Sequence, residues 1–148
     1  MNITGRTMEL EISHDCSRVD WQEVADILRG VGMAFHSPEV HRQAFLNSFA
    51  AVFIYTPDRQ LAGFGRAISD GMYQAAVYDV AVRPELQKQG IGAMIMRNLL
   101  APLSGCNVIL YASPGKEGFY ESLGLRRMKT GMALFISPER MAERGFIV

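Results

Sequence analysis

Apolar and polar positions along the chain predict a series of short elements. Residues 8–12 (MELEI) alternate apolar and charged side chains, which predicts a half-buried first strand after a frayed stretch over residues 1–7. Asp20 with Glu23 forms a capping-box-like start to a helix over residues 21–29. There Trp21, Val24, Ala25 and Leu28 share one face, and Gly30 stands where a C-terminal cap belongs. Ser37-Pro38 opens a second helix in which Val40, Ala44, Phe45 and Phe49 recur at helical spacing. The linker over residues 31–36 (VGMAFH) is unusually apolar for a loop.

Residues 50–55 read as a strand, 56–60 as a turn and 61–68 as the returning strand of a hairpin. Ser69-Asp70-Gly71 makes the next turn, and residues 74–82 form the long central strand. A helix over residues 93–100 ends at Pro102 and Gly105, and a Val/Ile/Leu-rich strand follows over 107–112. Ser113-Pro114 caps a short helix that reaches Leu123, with Gly124 as its stop. Residues 125–128 and 132–136 predict a final hairpin, and Ser137-Pro138 caps a last helix over 139–144. The order β-α-α-β-β-β-α-β-α-β-β implies an α/β fold, a mixed and largely antiparallel sheet with helices on both faces.

Length and charge narrow the function classes. The 148 residues suit one domain, and Lys+Arg balances Asp+Glu at 15 each, which leaves no electrostatic footprint for nucleic acid or an anionic membrane. The first residues carry no signal-peptide core, so a cytoplasmic location is expected. Cys16 and Cys106 lie far apart and lack metal-ligand spacing, so buried thiols are expected. His14, His36 and His41 are scattered, and His36/His41 is not the i, i+4 pair of a helical metal site, so no metal is expected.

The candidate chemistry centres on residues 78–96, YDVAVRPELQKQGIGAMIM. A strand through Val80, Ala81 and Val82 breaks at Arg83-Pro84, where proline forbids a further ladder bond. The chain then crosses Gln87-Lys88-Gln89-Gly90-Ile91-Gly92 and enters a helix at Ala93. A strand, a glycine turn and a helix start gather backbone N–H groups at one point, and the helix dipole adds positive charge there, which suits a phosphate. Side chains at positions 90 and 92 would hold that phosphate away from the amides.

This stretch resembles the acetyl-CoA loop of the GNAT superfamily, the Gcn5-related N-acetyltransferases. Gln87, Gly90 and Gly92 match its Gln/Arg-x-x-Gly-x-Gly/Ala signature, and residues 118–125 (GFYESLGL) resemble its Phe-Tyr-x-x-x-Gly-Phe element, with Leu125 in place of Phe. The resemblance covers about residues 61–135 and implies a single acetyltransferase domain, with residues 137–148 as a tail beyond the minimal core. It also implies a sheet splayed between the central strand and the next one, where the pantetheine arm of acetyl-CoA pairs with Val80, Ala81 and Val82. The pyrophosphate would then sit on the amides of Gln87, Lys88, Gln89, Gly90, Ile91, Gly92 and Ala93, with Lys88 and Arg83 available to neutralise it. Ser113 could bond the cofactor.

The implied reaction is direct transfer of acetyl to a primary amine through a tetrahedral intermediate, with acetyl-CoA as co-substrate. Tyr120 stands at the family's tyrosine position and would protonate the departing thiolate, since a phenol can donate to that sulfur within hydrogen-bond reach. The base is open among Asp79, Asp70, Glu85 and water, with Asp79 taken as the leading carboxylate. By strand alternation Asp79 points opposite to Tyr78 and Val80. Trp21 and residues 31–35 would form part of the acceptor wall. A non-catalytic acyl-CoA-binding or regulatory module is the alternative, because fold does not fix function. A dinucleotide binder is excluded by the missing third glycine of G-x-G-x-x-G and the absence of a βαβ unit followed by an acidic residue. The apolar end Phe146-Ile147-Val148 predicts a homodimer, through a tail that crosses to a partner or closes the sheet edge.

Overall fold

A computed structural model describes residues 9–148, so the expected fraying of residues 1–7 and the Met8 end of the first strand lie outside the described residues. The chain divides into two compact units, Met1–Leu110 and Tyr111–Val148.

The first unit carries a five-stranded sheet in the order β1-β2-β3-β4-β5. Its strands are β1 (Glu11–Ser13), β2 (Ala50–Tyr55), β3 (Leu61–Ser69), β4 (Gln74–Val82) and β5 (Asn107–Ile109). The first four pair antiparallel in sequence order, and β5 joins β4 in parallel. The mixed, mostly antiparallel sheet expected from the sequence is therefore present. Three helices accompany it: α1 (Trp21–Gly30), α2 (Pro38–Leu46) and α3 (Ile91–Leu100).

Strand alternation assigns the helices to opposite faces. Phe53 and Phe64 pack with Val24, Leu28 and Phe45 from α1 and α2 in one core cluster. Gly63 and Gly65, which flank Phe64, face α3 instead. A Cβ on Gly65 would stand 2.9 Å from both Ile95 and Leu99, so glycine lets α3 lie close on the sheet. Phe45, Phe53 and Phe64 are almost wholly buried, and burial of such side chains contributes about 1.5–3 kcal/mol each.

Several boundaries differ from the sequence reading, each for a local reason. The Asp20 carboxylate accepts from Gln22 N as an N-cap should, but Glu23 turns away toward Leu61 and Arg83 and closes no capping box. Gly30 stays helical, and the left-handed residue after α1 is Gly32, with φ 77°. In α2 the buried residues are His41 and Phe45, whereas Val40 and Phe49 are about half exposed. Phe49 lies past the helix end, where its amide bonds Ala67 O at 2.9 Å. Helix α3 starts at Ile91, two positions early, because Gly90 with φ 82° already ends the loop. Strand β5 stops at Ile109 rather than residue 112.

The second unit holds α4 (Glu117–Ser122) and α5 (Pro138–Glu143). Ser113 does not cap α4. Its carbonyl accepts from Lys116 N in a separate turn, and Lys116 is the cap residue. Gly124, with φ 94°, stops the helix as expected. The expected hairpin over residues 125–136 is not a pair of strands among the described residues. β-Prone residues become a strand only where a ladder partner meets them. Leu134 and Ile136 are fully exposed instead. Phe146 in the tail packs edge-on against Tyr111, with ring centroids 5.9 Å apart.

Candidate functional site

The cofactor candidates from the central strand and its loop are brought together in the first unit. Strand β5 pairs only with Gln74, Ala75 and Ala76 of β4. Beyond Ala76, the side of β4 away from β3 has no ladder partner among the described residues, so residues 77–82 form an open edge. An open strand edge of this kind accepts an extended amide-bearing ligand by backbone pairing. Val80, Ala81 and Val82 lie on this stretch.

After Val82 the chain makes a short 3-10 turn over Pro84–Leu86 and reaches the loop. The Gln87 side chain turns back, and its Nε2 donates to Val82 O at 3.1 Å, which ties the loop to the strand end. Lys88 and Gly90 both have left-handed backbones, at φ 63° and 82°. An added Cβ on Gly90 would meet no atom of the chain within 4 Å. Glycine is thus favoured there by conformation, and the space in front of it is open. Gly90 caps α3 without a side-chain bond, and Met94 N is the first amide to bond back to Gly90 O, at 3.1 Å. The amides of Ile91, Gly92 and Ala93 therefore precede the helix ladder, as a phosphate site needs. This loop fits a pyrophosphate, and the β4 edge fits a pantetheine arm.

Arg83 does not belong to this phosphate site. Its Nε donates to Leu61 O at 2.9 Å, and one terminal nitrogen reaches Glu23 Oε1 at 2.8 Å. Both bonds hold the guanidinium against β3 and α1.

Asp79 departs from the sequence expectation. It has φ 56°, and the register between β3 and β4 shifts at this point, so Asp79 and Val80 together oppose Gly65. The extra residue of this β-bulge breaks strand alternation. Asp79 consequently does not point away from Tyr78. The Arg66 guanidinium lies 5.3 Å from the Tyr78 ring, and its Nε reaches Asp79 Oδ2 at 2.7 Å. Val80 does face the other way, toward Gly65 and α3.

Arg66 is the hub of a polar cluster that the sequence reading missed. Its guanidinium also lies 5.8 Å from the Phe45 ring and 3.4 Å from Ser48 Oγ. His41, almost wholly buried on α2, accepts at Nε2 from the His36 backbone amide at 2.9 Å. Burial pushes the His41 imidazole below its usual pKa, while the charge of Asp79 works against that shift. A lone Arg within LAGFGRAI was the available signal for Arg66. Nothing in the sequence pattern distinguished His41.

The other candidate residues fall out as follows. Asp70 accepts from the amides of Met72, Tyr73 and Gln74 at 2.8, 2.9 and 3.1 Å, and these bonds hold its pKa down, as in a turn former. Glu85 is mostly exposed, 3.9 Å from Arg83. Trp21 packs against Phe45 and Phe53, with ring centroids 5.3 and 5.9 Å away. Phe35 is half exposed, with Arg29 stacked 4.8 Å above its ring. Among the described residues, no group of three or more His, Cys, Asp or Glu is placed to hold a metal. In the second unit, Tyr120 lies on α4 with its ring 4.9 Å from Phe119, and burial pushes its phenol above the usual pKa.

Comparison with known proteins agrees with this geometry. Residues 19–132 match the family model described as an acetyltransferase (GNAT) domain. An uncharacterized N-acetyltransferase, ycf52-like, from Prochlorococcus marinus is 32% identical over 112 residues, 72% of this chain and 62% of that protein. The chloroplastic serotonin N-acetyltransferase 2 of rice is 45% identical over 64 residues, 41% of this chain and 32% of its own. The chain spans about a third of the length of that relative and of the Arabidopsis GCN5-related N-acetyltransferase 1, of which it covers 37%. A Deinococcus radiodurans R1 structure, provisionally described as an acetyltransferase, superposes with a TM-score of 0.78 at 26% identity over 92% of this chain and 95% of that one.

Proposed function

The chain belongs to the GNAT acetyltransferases, and from that premise we propose that it transfers an acetyl group from acetyl-CoA to a primary amine. The observation that carries the proposal is the open β4 edge followed, after one 3-10 turn, by a left-handed Gly90 at the start of α3. That arrangement offers backbone amides to a pantetheine arm and a pyrophosphate in the order in which coenzyme A presents them.

In this reading the loop amides bind the pyrophosphate and the exposed Lys88 adds charge near it. Backbone groups around Val80 polarise the thioester carbonyl, in the manner of an oxyanion hole. The amine nitrogen bonds to the carbonyl carbon to give a tetrahedral intermediate, and the C–S bond breaks as that intermediate collapses. Tyr120 gives its proton to the leaving sulfur, and the raised pKa of its phenol keeps that proton in place at neutral pH. Asp79 is the carboxylate we propose to take the ammonium proton, directly or through water, while Arg66 holds it. The exposed Met132, Leu134 and Ile136 support a homodimer in which a second copy covers them.

The test is thiol release from acetyl-CoA across a panel of primary amines, beside a calorimetric titration of acetyl-CoA alone. Binding with amine-dependent thiol release is expected. Binding without release on any amine would assign a non-catalytic acyl-CoA module instead.

A further inference from the structure

Arg83 stands where β4 gives way to the turn before the loop. On its C-terminal side, Pro84 leads through one 3-10 turn into residues 87–90. The guanidinium itself points back toward β3 and α1 and is only 17% exposed. Its Nε donates to Leu61 O, a terminal nitrogen donates to Glu23 Oε1, and its backbone amide donates to Ala62 O at 2.8 Å. Glu23 Oε1 also accepts from Leu61 N at 3.3 Å. Carboxylate, guanidinium and both polar groups of Leu61 thus form a closed set.

Each bond fixes something different. The two bonds to Leu61 fasten Arg83 and Glu23 to the start of β3. The ion pair then joins α1 to the residue that launches the loop. Helix α1 also passes near that segment, since a Cβ added at Gly30 would stand 3.9 Å from the Pro84 ring. Proline fixes its own φ and restricts Arg83 before it. The 3-10 turn that follows, with Leu86 N donating to Arg83 O at 2.9 Å, carries that orientation on to Gln87.

We propose that Glu23 and Arg83 are positioning residues for the loop over residues 87–93, holding its amides where a pyrophosphate must meet them. The proposal rests on the reading of that loop as the acetyl-CoA site. Neither side chain touches the ligand. The pair acts by setting the loop's orientation before binding, so that less ordering remains to be done when acetyl-CoA arrives.

The test is calorimetric titration of acetyl-CoA into the wild type, Glu23→Gln, Arg83→Gln and the double variant. Glu23→Gln is the mildest change, since its amide oxygen can still accept from Leu61 N while the charge is lost. Each single substitution is expected to raise the Kd by about five- to tenfold, and the double by no more than the larger single, as for coupled neighbours. The turnover at saturating acetyl-CoA should stay within about twofold, because the change lies in binding alone. Arg18→Gln, which breaks the exposed pair with Glu11, should leave the Kd unchanged. A folded Glu23→Gln protein with the wild-type Kd overturns the proposal, even if its melting temperature falls, because the pair would then only stabilise the fold. So would equal weakening by Arg18→Gln, which would indicate a general charge effect. A wild type that binds no acetyl-CoA overturns the cofactor reading itself, and the positioning role with it.

Discussion

Arg66 Nε donates to Asp79 Oδ2 at 2.7 Å, and this ion pair spans the β-bulge at which β4 loses its alternation. Both side chains are mostly buried, at 17% and 23% exposure, so removing one partner costs more than it would in a surface pair. It holds the left-handed backbone of Asp79 against β3. Asparagine tolerates that backbone nearly as well as aspartate. Asp79→Asn should therefore keep the bulge, yet leave Arg66 without its counter-ion at a cost of about 1–3 kcal/mol in stability. If Asp79 takes the ammonium proton, the variant also loses turnover at saturating acetyl-CoA. A lower melting temperature with turnover intact would confine Asp79 to pinning the bulge.

Gly90 separates conformation from ligand binding. Because an added Cβ meets nothing, Gly90→Ala should cost only the left-handed strain, about 1 kcal/mol. Gly90→Asp adds a negative charge where a phosphate would sit, and acetyl-CoA affinity should fall at least about tenfold. Calorimetry on the two folded variants measures the difference. Equal affinity in wild type and Gly90→Asp removes the phosphate from this loop.

For Tyr120→Phe, turnover should drop on the order of 10²-fold while acetyl-CoA affinity holds, since only the proton donor is removed. Burial raises the pKa of the phenol, so the acid form persists past the ordinary value of about 10. The folded protein then holds this proton more tightly than the unfolded chain. Its contribution to stability is complete below about pH 10 and is lost as pH rises through the folded value. A turnover equal to wild type would return the acid role to water.

His41 gives the opposite sign. Its folded pKa lies below the unfolded value of about 6.5, so the unfolded chain binds the extra proton first as pH falls. Stability from this residue is whole above that value and is lost as pH falls through the folded one. Protonation at Nε2 would also end its acceptance of the His36 amide. Melting curves between about pH 5 and 8 should show an acid-side loss in the wild type that His41→Gln reduces. The same slope in both proteins would place the titrating group elsewhere.

The homodimer predicts a size and a cause. Light scattering of the full chain should give twice the monomer mass at micromolar concentration, and truncation after Ser137 should leave that mass unchanged if Met132, Leu134 and Ile136 form the contact. Phe146 already packs on Tyr111, which leaves the tail less to offer a partner. A dimer lost on truncation would return the contact to the tail, and a monomeric full chain ends the proposal.

Local chemistry made much of this protein legible in its sequence. Residues 50–55 and 74–82 read as strands to the residue, because apolar β-prone runs ended by turn formers leave one choice. The glycine turn before α3 was legible as a turn, but the left-handed backbone of Gly90 sets the helix start two positions ahead of the expected Ala93. What tertiary structure alone decided were the partners of charged side chains. Asp20 and Glu23 spell a capping box, yet Glu23 has Arg83, sixty positions away, as its partner, a contact no window of sequence contains. Asp79 appeared to alternate with its neighbours until the register with β3 inserted a bulge. The hairpin over residues 125–136 failed for the converse reason: its propensity is local, but a strand exists only where another backbone arrives to pair with it.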